Sequence, residues 1–103
     1  MSPYLKPGLQ SVDEIISQSF RISIEWMTSR SRHRPGTEAR QFAMWWRERN
    51  TKDSLSSIGK IYGNRDHATV LHAKKTVNNL METNKVFRAK AEEALLKLEL
   101  IKS

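Results

Sequence analysis

Between Ser54 and Ala73 the chain reads SLSSIGKIYGNRDHATVLHA. Ser54 is a residue type that caps helix N-termini, and Leu55, Ile58 and Tyr62 follow at spacings that place them on one inner helix face. Gly59 lies within that helix, where a missing Cβ would let another helix approach closely. Gly63-Asn64 are the residue types best suited to a left-handed helix stop. Asp66 can then cap a further helix, with Val70, Ala73, Val77 and Met81 facing inward. Two helices joined by a tight glycine-containing turn have helix-turn-helix form. At about 100° per residue, the side opposite Val70 carries Ala68, His72, Lys75 and Asn79. These side chains are small, polar or basic, fit to meet base edges and phosphates. Leu71 falls on the margin and is expected to pack against the preceding helix.

Working outward, the same reading yields about six helices and an all-α, compact domain. Residues 1–10 hold two of the three prolines and a glycine and are expected to form an extended arm. A first helix is expected from Ser11 as N-cap, with Asp13 and Glu14 in its first turn and a stripe of Val12, Ile15, Ile16 and Phe20. Ser23 introduces a second, short helix, which Trp26 is expected to anchor to the core. Thr28 to Gly36 reads as a polar, basic loop. A third helix follows from about Thr37 to Arg49, with Ala39, Phe42, Ala43 and Trp46 on one face and Trp45 to its side, half exposed. Asn50 to Asp53 breaks the pattern. Beyond Met81, Thr83-Asn84 kinks or breaks the chain, and a last amphipathic helix carries Val86, Phe87, Ala91, Ala94, Leu95 and Leu98. No hairpin dipeptide is flanked by alternating apolar residues, so no strand signal competes. Residues 11–103 are thus expected to form one domain.

The formal net charge of +7 is unevenly placed. Residues 1–29 sum to −1, residues 30–75 to +7 and residues 76–103 to +1. A basic middle with balanced flanks points to a polyanionic partner, because each neutralised phosphate releases a counterion. No run of apolar residues is long enough to span a membrane, and the N-terminus lacks the pattern of a secretory signal. Cysteine is absent, which removes disulfide frameworks and thiolate metal sites and fits a cytoplasmic protein.

The run from Ser54 to Ala73, with Ala39-Arg40-Gln41-Phe42-Ala43-Met44 and Ile22-Ser23-Ile24-Glu25-Trp26-Met27 upstream, resembles the C-terminal helix-turn-helix domain of the bacterial replication initiator DnaA. The similarity extends from about Val12 to the C-terminus and is strongest from Arg40 to Ala73. It implies a Trp-repressor-like fold, double-stranded DNA as partner, a site like the DnaA box, and a nucleoid-associated location. Asp66, His67, Ala68 and Thr69 match the base-reading positions at the start of the recognition helix. Chemically, a carboxylate accepts from cytosine, and methyl groups meet thymine methyls. Leu55 and Ser56 begin the helix that abuts the backbone and one base. Arg32, with Arg34 as the alternative, matches the loop arginine that enters the minor groove. Arg34, Arg40, Gln41, Arg65 and His72 match or adjoin phosphate-holding positions, and Lys75 adds charge on the same face. Two departures stand out: Ala68 occupies a position where the family usually has Thr, and Ser56 one where Pro is common. The target is therefore expected to resemble the family's box without necessarily equalling it.

No G-x-x-x-x-G-K-[ST] loop occurs, so no nucleotide is expected to bind as in an ATPase module. The initiating Met and the proline-containing arm favour a stand-alone reading head over an excised fragment. His67 and His72 lack a third ligand nearby, so no metal or other cofactor is expected. No catalytic constellation is recognisable, and an enzyme is not expected. A monomer is expected. The competing reading is a helical adaptor that binds a protein through an apolar surface near Trp45 and the last helix, with only residual DNA binding.

Overall fold

The structure, a computed structural model, describes residues 9–29 and 34–102. Among these, six helices and no strand occur: α1 (Leu9–Phe20), α2 (Ile24–Thr28), α3 (Arg34–Asn50), α4 (Leu55–Ile61), α5 (His67–Thr83) and α6 (Lys85–Lys102). Helix α3 lies at the centre, packed by α1, α2, α4 and α5, while α6 closes the far side against α1 and α5. The stripes read from periodicity supply the core. Val12, Ile16, Phe20, Ala39, Phe42, Ala43, Trp46, Ile58, Tyr62, Val70, Ala73, Val77, Phe87, Ala91, Ala94 and Leu98 are all buried. Phe20, Phe42 and Phe87 meet with centroids 5.3 to 6.4 Å apart, a spacing suited to tilted and edge-on rings, and join α1, α3 and α6.

Several boundaries differ from expectation for identifiable reasons. Helix α1 begins at Leu9, so Ser11 lies inside it and is not its cap. Leu9 continues the spacing of Val12, Ile16 and Phe20, and a helical period outweighs a favourable cap residue. The expected arm is thus helical at residues 9–10, and residues 1–8 lie outside the described part. The helix ends in a Schellman motif: the Ile22 N–H donates to Ser17 O and the Arg21 N–H to Gln18 O, with Arg21 left-handed at φ 59°. Helix α3 begins at Arg34, earlier than the expected Thr37. Pro35 sits in its first turn, where a missing N–H leaves no bond unmade and φ is preset for helix. Its neighbour Gly36 lies under the Trp26 ring, where a Cβ would stand 3.3 Å from Cε3.

Three apolar residues face outward against expectation. In α2 the buried anchor is Met27, whereas Trp26 is 43 % exposed and rests on α3. Leu71 is 43 % exposed and Val86 65 %. A five-residue helix buries only one face, and Met27 takes it.

The helix-turn-helix forms as its sequence predicts. Ser54 Oγ accepts from the Ser57 N–H at 3.1 Å and caps α4. Gly63 (φ 91°) and Asn64 (φ 56°) both adopt left-handed backbone. What approaches Gly59 is the chain's own turn and not another helix. The Arg65 N–H donates to Gly59 O at 2.7 Å, and any Cβ on Gly59 would overlap the Arg65 carbonyl. Gly63 is equally confined, since its Cβ would lie 2.5 Å from Ser29 O.

Asn84 interrupts the helical run as expected. It closes α5 through its N–H to Leu80 O and opens α6 by accepting the Phe87 N–H at 2.9 Å.

Candidate nucleic-acid interface

The N-terminus of α5 is built by a short exchange between two predicted base readers. Asp66 Oδ1 accepts the Thr69 N–H and the Thr69 hydroxyl, each at 3.0 Å. These bonds hold the Asp66 carboxyl below its ordinary pKa, the Thr69 backbone N–H contributing most and its hydroxyl next. Asp66 is therefore an anionic cap at neutral pH, and the Thr69 hydroxyl is already engaged. Thr69 as a whole is exposed. His67 and Ala68 are exposed beside it, and His72, Lys75 and Asn79 continue the exposed side of α5. The whole face predicted to enter a groove is open to solvent.

Beside this face lies a cleft of about 430 Å³ lined by Thr37, Arg40, Gln41, Met44, Arg65, Thr69 and His72. It gathers five of the predicted residues, from α3, the turn and α5. Arg40 is its floor. Its side chain is more deeply set than a surface phosphate ligand, at 4 % exposure, and donates to Ser29 O at 2.9 Å and to Thr37 Oγ1 at 3.2 Å. Burial, and then the charge of Arg65, lower the Arg40 pKa from its usual value. Two guanidinium groups held in mutual repulsion form a site that an anion would relieve.

The other predicted residues are more scattered. Leu55 is half-buried and Ser56 exposed at the start of α4, and Lys75 stands one turn beyond His72, outside the cleft. Arg32 lies outside the described residues, and Arg34 is the first residue of α3. No group of three His, Cys, Asp or Glu that could hold a metal occurs among the described residues.

Sequence reasoning missed Thr37, Met44 and Ser29. Thr37 could have been found, being one helical turn before Arg40 and Gln41. Ser29 could not, because its carbonyl acts only through tertiary contact with Arg40 and Gly63. Arg47 runs against the charge count of its segment. It belongs to the basic middle segment, yet it is fully buried and pairs with Asp13 at 3.3 Å, so its charge never reaches the surface.

Comparison with known proteins agrees with this architecture. The family described as bacterial dnaA protein helix-turn-helix matches residues 9–77. A chromosomal replication initiator protein DnaA of Flavobacterium psychrophilum is 44 % identical over 93 residues, covering 90 % of this chain and 20 % of that protein. The protein of the same name from Porphyromonas gingivalis is 41 % identical over 86 residues, 84 % of this chain and 18 % of that protein. That from Ehrlichia ruminantium is 39 % identical over 80 residues, 78 % of this chain and 17 % of that protein. The chain thus spans about a fifth of the length of these relatives. With the family match running from the first described helix into α5, through the helix-turn-helix and the cleft beside it, this chain belongs to the bacterial DnaA helix-turn-helix family.

Proposed function

We propose that this chain binds double-stranded DNA sequence-specifically, as a monomer, at a site resembling the DnaA box. The process is replication initiation or its regulation, on chromosomal DNA in the cytoplasm. The observation that carries this reading is the open face of α5, capped by Asp66 and flanked by the Arg40–Arg65 cleft. In this arrangement His67, Ala68 and the Thr69 methyl meet base edges, and Asp66 accepts from a cytosine amino group. Arg40, Gln41, Arg65 and His72 receive a phosphate, with Lys75 on the next turn. Arg32 enters the minor groove, and Leu55 and Ser56 approach the backbone. Arg34 is a further phosphate contact. The names of the relatives support the tie to replication initiation. No phosphate-binding loop lies within these 103 residues, so any ATP-driven step resides outside them.

The decisive experiment is selection of bound duplexes from a random pool at a fixed salt concentration, followed by titration of the winner and a scrambled duplex. His67→Ala and Arg32→Ala are each expected to cost about 1–3 kcal/mol on the selected duplex and far less on the scrambled one. Equal losses on both duplexes would remove the base-reading assignment.

The adaptor reading has weaker support near Trp45. Its indole N–H donates to Asn78 Oδ1 at 3.1 Å, and Arg49 lies over the ring at 5.0 Å. The residue is thus occupied within its own chain.

A further inference from the structure

Across the molecule from the DNA-reading end, α1 and α6 leave a cleft of about 500 Å³ lined by Ser19, Arg21, Lys85, Val86, Ala89, Lys90 and Glu93. Its apolar part is formed by Ala89 and Val86, both exposed, and Val86, at 65 %, is one of the three apolar residues that face outward against expectation. Its rim is cationic. The side chains of Arg21, Lys85 and Lys90 have no ion pair or hydrogen bond within the described chain. The lone rim carboxylate, Glu93, is paired with Lys97 at 3.3 Å. The Schellman turn that ends α1 places Arg21 in left-handed backbone at this seam.

Two further features point to a ligand. The first turn of α6 contributes N–H groups at Lys85 and Val86 that have no acceptor inside the helix, since Asn84 takes those of Phe87 and Arg88. At the base of the cleft, Ser19 is 3 % exposed, and its buried hydroxyl has no hydrogen-bond partner. A buried hydroxyl left unpaired in a folded chain is uncommon and asks for an explanation. Helix α5 has 17 residues, about 25 Å of length, so its C-terminal junction with α6 is remote from the end that meets DNA.

We propose that this cleft binds an acidic peptide segment of a protein partner, one carrying an aromatic or aliphatic side chain between carboxylates. The apolar residue lies on Val86 and Ala89. The carboxylates meet Arg21, Lys85, Lys90 and the α6 N-terminus, and one of them accepts the Ser19 hydroxyl once that side chain turns toward the cleft. A nucleic-acid backbone would satisfy the rim but leave exposed Val86 and Ala89 unused, which favours the peptide. The cleft lies away from α5's reading face, so partner and duplex bind together.

The test uses the full chain and a fluorescein-labelled hexapeptide, Asp-Glu-Phe-Leu-Asp-Glu, followed by anisotropy and by amide chemical shifts. Saturable binding with a Kd of about 0.1 mM is expected, as a short flexible ligand allows. Shifts should be confined to Ser19, Arg21, Lys85, Val86, Ala89 and Lys90. Lys85→Ala with Lys90→Ala should weaken the peptide about tenfold. Val86→Ser should weaken it about fivefold at constant charge while leaving duplex binding unchanged. Equal binding of Asp-Glu-Ser-Ser-Asp-Glu would overturn the proposal, because charge alone would then suffice. Shifts centred on α5's exposed face, or a duplex that displaces the peptide from the cleft, would overturn it as well.

Discussion

Gly59 leaves no room for a side chain, and the reason is covalent as much as tertiary. The turn that follows α4 folds back so tightly that the Arg65 amide and carbonyl both press on it. Gly59→Ala is expected to destabilise the domain by about 2–4 kcal/mol in urea unfolding, because backbone must move to admit the methyl group. Arg21 presents the reverse case. A β-carbon in left-handed backbone carries strain that glycine lacks. Arg21→Gly should therefore stabilise the fold by about 0.5–1 kcal/mol, a gain visible as a raised denaturation midpoint.

Asp66 supplies a pH dependence at the same scale. Its carboxyl is lowered on folding, chiefly by the Thr69 N–H. A group lowered in the folded state contributes stability above its unfolded pKa, near 3.9, and that contribution is lost as pH falls through the folded value. Amide protection at the start of α5, relative to the unfolded chain, should fall below about pH 4, and Asp66→Asn should flatten this acid response. An unchanged acid profile in that variant would show that the cap is not the titrating group.

Among the elements, α1, α3 and the turn after α4 are tied by one buried polar cluster. Arg47 donates through Nε to the Tyr62 hydroxyl, which donates to Asp13 Oδ1 at 2.6 Å, and Arg47 Nη2 meets Asp13 Oδ2 at 3.3 Å. Burial opposes the charge on Arg47, but the Tyr62 and Asp13 oxygens outweigh it and raise its pKa. Burial, and then the Asp13 charge, push the Tyr62 hydroxyl far above its ordinary range, so it remains a neutral donor at every accessible pH. Removing one member leaves a buried charge without its partner. Asp13→Ala is expected to cost about 3–5 kcal/mol, whereas Asp13→Leu with Arg47→Met should cost much less than the sum of the two single changes. A double-mutant cycle by chemical denaturation measures this, and additive losses would mean that the pair does not act as a unit. The cluster holds the recognition hairpin against the rest of the domain through Tyr62, the C-cap of α4.

At the scale of the whole molecule the charge is sorted into two places. The central segment faces the proposed duplex through α5 and the Arg40–Arg65 cleft, while a smaller cationic rim lies on the α1–α6 seam. Lys75 belongs to the first and forms no ion pair among the described residues. Lys75→Ala should weaken selected and scrambled duplexes alike and reduce the slope of log K against log salt by about one. Titrations at several salt concentrations measure that slope, and a loss confined to the selected duplex would make Lys75 a base reader instead.

Much of this organisation is local and so was legible in the chain itself. Helix periodicity, the caps Ser54 and Asp66 and the left-handed pair Gly63-Asn64 depend on neighbours within a few residues, and each appears where those rules place it. The exposure of Ala68, His72 and Lys75 follows from the same periodicity. Contacts between distant segments were not legible. Only packing decided that Arg47 turns inward to Asp13, that Met27 and not Trp26 anchors α2, and that Arg40 becomes the floor of a cleft by bonding Ser29. Burial and charge pairing are set by which helix lies opposite, and a one-dimensional pattern holds no distance between α1 and α3.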